Sequence, residues 1–209
     1  MTMKKPAALA ALALAGLFAL QSCAVLNDMT AALSNLQRLR FKLGEVHGFR
    51  LAGIEIGGKT RLGQFNAMDA LALLNTFRTK KLPAEFTLDV LAVNPNDGTG
   101  GTRITASTLT SLECRFLIDD RPTVTGNIDQ PIEIPGTGQE SVLPVRISID
   151  LLEFFGDKRY EDLIDLALAI GGANRTATRL ALDAQPTVTT PFGAITYPGR
   201  LTIVSQEFR

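Results

Sequence analysis

The sequence predicts a mainly β fold, an antiparallel two-sheet sandwich with one or two flanking α-helices. Three observations carry this. Short runs such as Phe86-Thr87-Leu88-Asp89-Val90 and Leu143-Pro144-Val145-Arg146-Ile147 alternate apolar and polar residues, the period of a half-buried strand. Gly, Pro and Asn-Asp clusters punctuate those runs at regular spacing. In the body of the chain only two segments carry a helical period.

The N-terminus is a separate matter. Lys4 and Lys5 precede an apolar run from Pro6 to Leu20, and Leu20-Gln21-Ser22-Cys23 follows. A basic segment, an apolar segment and a small residue before the cut make a secretory signal. The apolar run is shorter than the roughly 20 residues a spanning helix needs. Cys23 directly after Ser22 makes a lipobox, with cleavage between Ser22 and Cys23 and lipid on the Cys23 thiol. Residues 1–22 are therefore expected to be a lipoprotein signal peptide, 23–45 a lipidated N-terminus with a tether or short helix, and 46–209 the folded domain. Within 24–40, Leu33, Leu36 and Leu39 recur every third residue, which fits a short helix or a partly ordered linker.

Phe41 to Ile56 reads as strand, interrupted by Gly44, Gly48 and Gly53. Asn66 to Phe77 reads as helix: Asn66 caps the start, Asp69 sits in the first turn, and Lys80-Lys81-Leu82-Pro83 ends it. Met68, Leu71, Leu74 and Phe77 fall on one side. Phe86 to Ala92 is a strand ending at the turn Asn94-Pro95-Asn96-Asp97-Gly98. Leu112 to Ile118 is a strand ending at Asp119-Asp120-Arg121-Pro122. Pro131 to Pro135 is a short strand that its prolines confine to an edge. Leu143 to Ile149 is another strand. A second helix is expected from about Asp157 to Ile170, closed by Gly171-Gly172. Strands at 179–184, 187–190 and 200–208 finish the chain.

Composition narrows the function. Removing residues 1–22 takes away two lysines and no acid, which leaves 19 Lys+Arg against 21 Asp+Glu and a formal charge of −2. That is no footprint for nucleic acid, and attachment to a membrane would come from lipid rather than from a polybasic stretch. With Cys23 acylated, Cys114 has no partner for an intrachain disulfide.

Candidate chemical motifs have plainer readings. Gly53 to Thr60 matches the G-x-x-x-x-G-K-T phosphate-loop pattern, but Ile54 and Ile56 alternate as in a strand and no helix signal starts at Thr60. A turn at Gly57-Gly58 is expected instead. Cys114 lies on the apolar side of its strand and reads as a buried hydrophobe. His47 is the only histidine and has no Ser or Cys nearby in sequence. Asp119-Asp120 reads as a turn, and Glu161, Asp162 and Asp165 as a solvated helix face. No cofactor and no metal ligands are expected, and a non-enzymatic role follows. Pro95 fixes φ and lacks an N–H, while Asn94 and Asn96 can bond nearby backbone; the expected role of the three is structural.

An ordered set of segments resembles the LEA type 2 family, also called the WHy (water stress and hypersensitive response) domain. The matching residues are Phe86 to Val93 running into Asn94-Pro95-Asn96, then Phe116 to Asp120, Val124-Thr125-Gly126, Ile132 to Pro135, and Ser141 to Val145. The resemblance implies a fibronectin-III- or immunoglobulin-like sandwich with a helix beside it, and a stress-protective or interaction module. The helix at 157–170 departs from the simplest family members. Ala24 after Cys23 gives the outer membrane, periplasm-facing, as the expected location. Partners would be the membrane through the Cys23 lipid, and a lipid or an envelope protein. The apolar faces of the two helices (Met68, Leu71, Leu74, Phe77; Leu163, Ile164, Ala167, Ile170) are read either as core or as walls of a lipid-binding groove between helix and sheet.

Overall fold

Period-two alternation in the sequence becomes alternate burial in space. In the computed structural model, Phe86, Leu88, Val90, Phe116, Ile118, Val145 and Ile147 are all buried, and their charged neighbours point outward. The structure describes residues 29–99, 104–173, 180–190, 193–205 and 208. Ser22 and Cys23 lie outside the described residues, as do residues 174–179.

Among the described residues the first element is a helix over 29–38 (α1), followed by β1 (Arg40–Leu51), β2 (Ile54–Glu55), α2 (Ala67–Thr79) and β3 (Pro83–Val93). Then come β4 (Ser107–Ile118), β5 (Arg121–Gly126), β6 (Ile132–Ile134) and β7 (Glu140–Asp150). Two helices, α3 (Leu151–Phe155) and α4 (Tyr160–Gly171), precede β8 (Leu180–Thr190), β9 (Gly193–Thr196) and β10 (Leu201–Ile203). One antiparallel sheet has the order β2-β1-β3-β7. The other runs β10-β8-β4-β5, with β6 also on β4 and β9 also on β8. Their apolar sides meet where the Phe86 and Phe116 rings approach to 5.5 Å. Gly126 borders the same space, where a Cβ would meet Cys114 Sγ, Val145 and Ile147 at an ordinary contact distance of 3.6 Å.

The fold begins N-terminal of residue 46. β1 starts at Arg40, and Leu36, Leu39, Phe41 and Leu43 are all in the core. The hairpin turn of β1 and β2 falls on Ala52 and Gly53, both at positive φ, rather than on Gly57-Gly58, which turns the chain a few residues later. The two strands expected at 179–184 and 187–190 are one strand, β8, running through Pro186. The Pro186 carbonyl accepts the Tyr197 N–H at 2.9 Å, so its missing N–H faces the same edge. That edge is the gap between β10, which pairs with 182–184, and β9, which pairs with 187–190; the ladder has no bond there for the proline to break. The one-turn helix α3 has its own local cause. Asp150 Oδ1 caps it through Leu152 N–H at 3.1 Å and also holds Leu82 N–H at 2.9 Å.

α1 and α2 sit at opposite ends of β3. Arg40 pairs with Val93 at one end and Leu51 with Ala84 at the other. α1 packs at the first end through buried Leu36. α2 enters β3 at the second, where α3 and the start of α4 also lie. α4 is buried along most of its length. It packs on β1, where Gly171 admits Phe49: a Cβ on Gly171 would fall 2.2 Å from that ring.

Candidate functional site

The helix α2 is built soundly and turned the unusual way round. Asn66 and Asp69 form a reciprocal capping box, Asp69 N–H to Asn66 Oδ1 at 2.9 Å and Asn66 N–H to Asp69 Oδ2 at 3.0 Å. Lys59 Nζ pairs with Asp69 Oδ2 at 3.3 Å, donates to the Gln64 carbonyl at 3.2 Å, and lies 4.9 Å from the Phe65 ring centre. At the far end Lys80 adopts the left-handed region and Lys81 N–H reaches the Thr76 carbonyl at 3.1 Å.

The attachment of α2 to the body has a polar part. Thr76 Oγ1 donates to the Leu73 carbonyl at 2.7 Å and shares a hydrogen bond with the Tyr160 hydroxyl of α4. The Tyr160 oxygen also lies 2.8 Å from the Leu73 carbonyl, and the two hydroxyls have two protons to share among these three contacts. Burial pushes the Tyr160 phenol above its ordinary pKa, and the Thr76 hydrogen bond offsets part of this. Leu73 and Thr76 are the buried residues of α2. This turns the stripe outward: Met68, Leu71, Leu74 and Phe77 are 73, 60, 47 and 62% exposed, and Leu62 beside them is 43% exposed. Burying such a side chain fully contributes roughly 1.5–3 kcal/mol, so the stripe forgoes on the order of 1 kcal/mol or more per residue. These exposed apolar side chains are what makes the face a candidate site.

Between α2 and α4 the patch deepens into a groove of about 340 Å³. Leu62, Phe65, Leu74 and Phe77 form one wall, and Tyr160 and Ile164 the other. The Phe77 and Tyr160 rings meet edge to face at 5.7 Å. The volume falls in the lower part of the range for small-ligand sites, and the lining is apolar with one phenol hydroxyl and the Glu161 carboxylate at hand. The groove lies between two helices. The α4 face named in the sequence analysis is mostly core, with Leu163, Ile164, Ala167 and Ile170 buried; only its N-terminal turn borders the groove.

The other candidate residues are accounted for structurally. Asn94 and Asn96 are completely buried. Asn94 Nδ2 donates to the Thr105 carbonyl at 2.8 Å and the Ile134 carbonyl at 3.0 Å. Its Oδ1 accepts Asn96 N–H at 3.1 Å and Asn96 Nδ2 at 2.8 Å. Asn96 Nδ2 reaches the Asn35 carbonyl of α1 at 3.3 Å. Asn94-Pro95-Asn96 thus ties together the end of β3, the start of β4, β6 and α1. Lys59 and Thr60 of the phosphate-loop pattern are engaged with Gln64, Thr60 N–H and Oγ1 both meeting Gln64 Oε1; they frame no phosphate nest.

Cys114 is buried, donates to the Gly126 carbonyl at 3.3 Å, and burial pushes its thiol up to about 11, so it stays a protonated thiol. His47 Nε2 lies 2.7 Å from Asp89 Oδ2 across β1 and β3. Asp119 and Asp120, both at positive φ, make the tight β4–β5 turn. Hydrogen bonds from Arg159 hold Asp162 below the usual carboxylate range. Among the described residues no three His, Cys, Asp or Glu side chains converge on a metal-sized site.

Comparison with protein-family profiles, curated proteins and solved structures finds no match.

Proposed function

We propose that this chain is a lipid-anchored, non-enzymatic cell-envelope protein of LEA type 2 character that handles lipid in the groove between α2 and α4. In this reading Cys23 carries the anchor in the outer membrane. The two sheets form a fibronectin-III-like sandwich, and the groove takes an acyl chain. The observation that carries it is the outward apolar stripe of α2 over a groove walled by Leu74, Phe77 and Ile164. An acyl chain asks for an apolar slot with few polar groups, and it would cover side chains that the fold leaves wet. The same exposed face suits the interaction-module role that the family resemblance implies.

Native mass spectrometry of the full chain purified from membranes tests this. The expected result is phospholipid or fatty acid retained by the parent and lost from Leu74→Glu, which places a carboxylate in the groove wall without touching the core. A parent that carries no lipid beyond the Cys23 modification, and takes up none when lysophospholipid is added, would refute it.

A further inference from the structure

We propose that the outer stripe of α2, Met68 and Leu71 with the cations around them, docks on an anionic lipid bilayer. The proposal rests on the lipid-facing reading of α2 but concerns residues the groove does not use, since neither Met68 nor Leu71 lines it. Both are more than half exposed. Arg78 follows Leu71 by seven residues and Leu74 by four, so it rises from the same side of the helix. Lys80 and Lys81 extend the positive charge beyond the C-terminus of α2, and Arg61 stands next to Leu62 at the other end. All four are exposed, and none joins an ion pair among the described residues.

The acids nearby do not cancel this charge. Asp69 is already held by Lys59 and by the capping box. Glu161 stands on α4, across the groove. A chain that is acidic overall after loss of its signal segment therefore presents a locally basic rim around an apolar helix face. Apolar residues backed by Lys and Arg are the make-up of a helix that lies in a membrane interface. Thirteen residues give α2 a length of about 20 Å along such a surface. The rim selects anionic headgroups, each cation near the surface strengthening attachment roughly fivefold.

The placement of α2 also sets an orientation. α1 and α2 lie at opposite ends of β3, an 11-residue strand about 35 Å long. The six residues from Cys23 to the start of α1 reach about 20 Å at most. A domain lipidated at Cys23 and docked through α2 on the same bilayer lies lengthwise along it.

The chain contains no tryptophan, so a single introduced indole reports its own surroundings. Leu71→Trp is made in the full chain, with Met68→Trp as a second reporter. Val142→Trp, an exposed apolar position on the edge strand β7, serves as the control. Emission is followed with vesicles of phosphatidylethanolamine containing or lacking phosphatidylglycerol. The expected result is a shift to shorter wavelength at residues 71 and 68, but not at 142, on vesicles containing phosphatidylglycerol. Replacing Arg78, Lys80 and Lys81 together by Gln should weaken that response about a hundredfold.

No shift at either reporter, an equal shift at residue 142, or a shift indifferent to phosphatidylglycerol and to the triple replacement would overturn the proposal. A shift that grows with protein concentration without vesicles would assign the stripe to a second copy of the chain and overturn it as well. Lysophospholipid uptake with no vesicle response would sink the docking alone. A vesicle response without lysophospholipid uptake would sink the groove alone.

Discussion

Replacing Asn94 by Ala should cost this domain about 4 kcal/mol through lost hydrogen bonds alone. Asn94 is fully buried and makes four close side-chain hydrogen bonds: two donated, to the Thr105 and Ile134 carbonyls, and two accepted, from Asn96. A buried hydrogen bond contributes a net ~1 kcal/mol, and leaving its partner unpaired costs more. Asn96 Nδ2 keeps the Asn35 carbonyl, which limits the loss on that side. For a chain of this length ~4 kcal/mol lowers the melting temperature by roughly 8–16 °C. Urea and thermal unfolding followed by far-ultraviolet circular dichroism measure it, with an unchanged urea slope as the check that the same surface unfolds.

Asn94→Asp sharpens the test. It keeps an acceptor for Asn96 but turns a carboxylate oxygen toward two carbonyls. Burial and those carbonyls raise its folded-state pKa above the unfolded value, so folding takes up a proton. Asn94→Asp should therefore be less stable than Asn94→Ala at neutral pH and regain stability as the pH falls below the folded-state pKa. A loss below about 1 kcal/mol for Asn94→Ala, or no pH dependence specific to Asn94→Asp, would show that the junction of β3, β4, β6 and α1 does not depend on this residue.

Other residues give outcomes of the same kind. Phe116→Ala should lose ~3–5 kcal/mol in urea unfolding, because its ring fills the space between the sheets against Phe86; a variant as stable as the parent would mean the sheets do not meet there. Lys59→Ala should lose about 1–2 kcal/mol through its bonds to Asp69 and Gln64 and its place over Phe65. Magnesium ATP should leave the parent's melting temperature unmoved, and a rise that Lys59→Ala abolishes would restore the phosphate-loop reading. Cys23→Ser should block lipidation, read as loss of the acyl mass from the protein; a processed Cys23→Ser protein that still carries acyl groups would refute the anchor.

What could be read from the sequence was whatever depends on near neighbours. Alternation placed Phe86, Leu88, Val90, Phe116, Val145 and Ile147 inside, because a strand with one buried face has one workable phase. Asn66 and Asp69 announced the start of α2 by their spacing alone. Asn94-Pro95-Asn96 read as the end of a strand, yet its partners Asn35, Thr105 and Ile134 come from distant segments that no local pattern connects to it. β8 read as two strands because Pro186 removes a donor, and only the pairing on either side shows that no donor is needed there.

The candidate site sits at the same limit. The stripe Met68, Leu71, Leu74 and Phe77 was plain, but whether it faced core or solvent depended on Tyr160. That hydroxyl grips the other side of α2 from 87 residues away. The loose ends in the sequence were Arg78, Lys80 and Lys81. They suit a helix C-terminus, and only the exposed stripe beside them gives them a second use.

Methyl nuclear magnetic resonance of the full chain, with doxyl-labelled stearic acid below its micellar concentration, tests whether the α2–α4 groove accepts an acyl chain. Saturable paramagnetic broadening of the Leu62, Leu74 and Ile164 methyls is expected, with the Ile203 methyl of β10 unaffected. Uniform broadening across the molecule, or none at the groove, would contradict it.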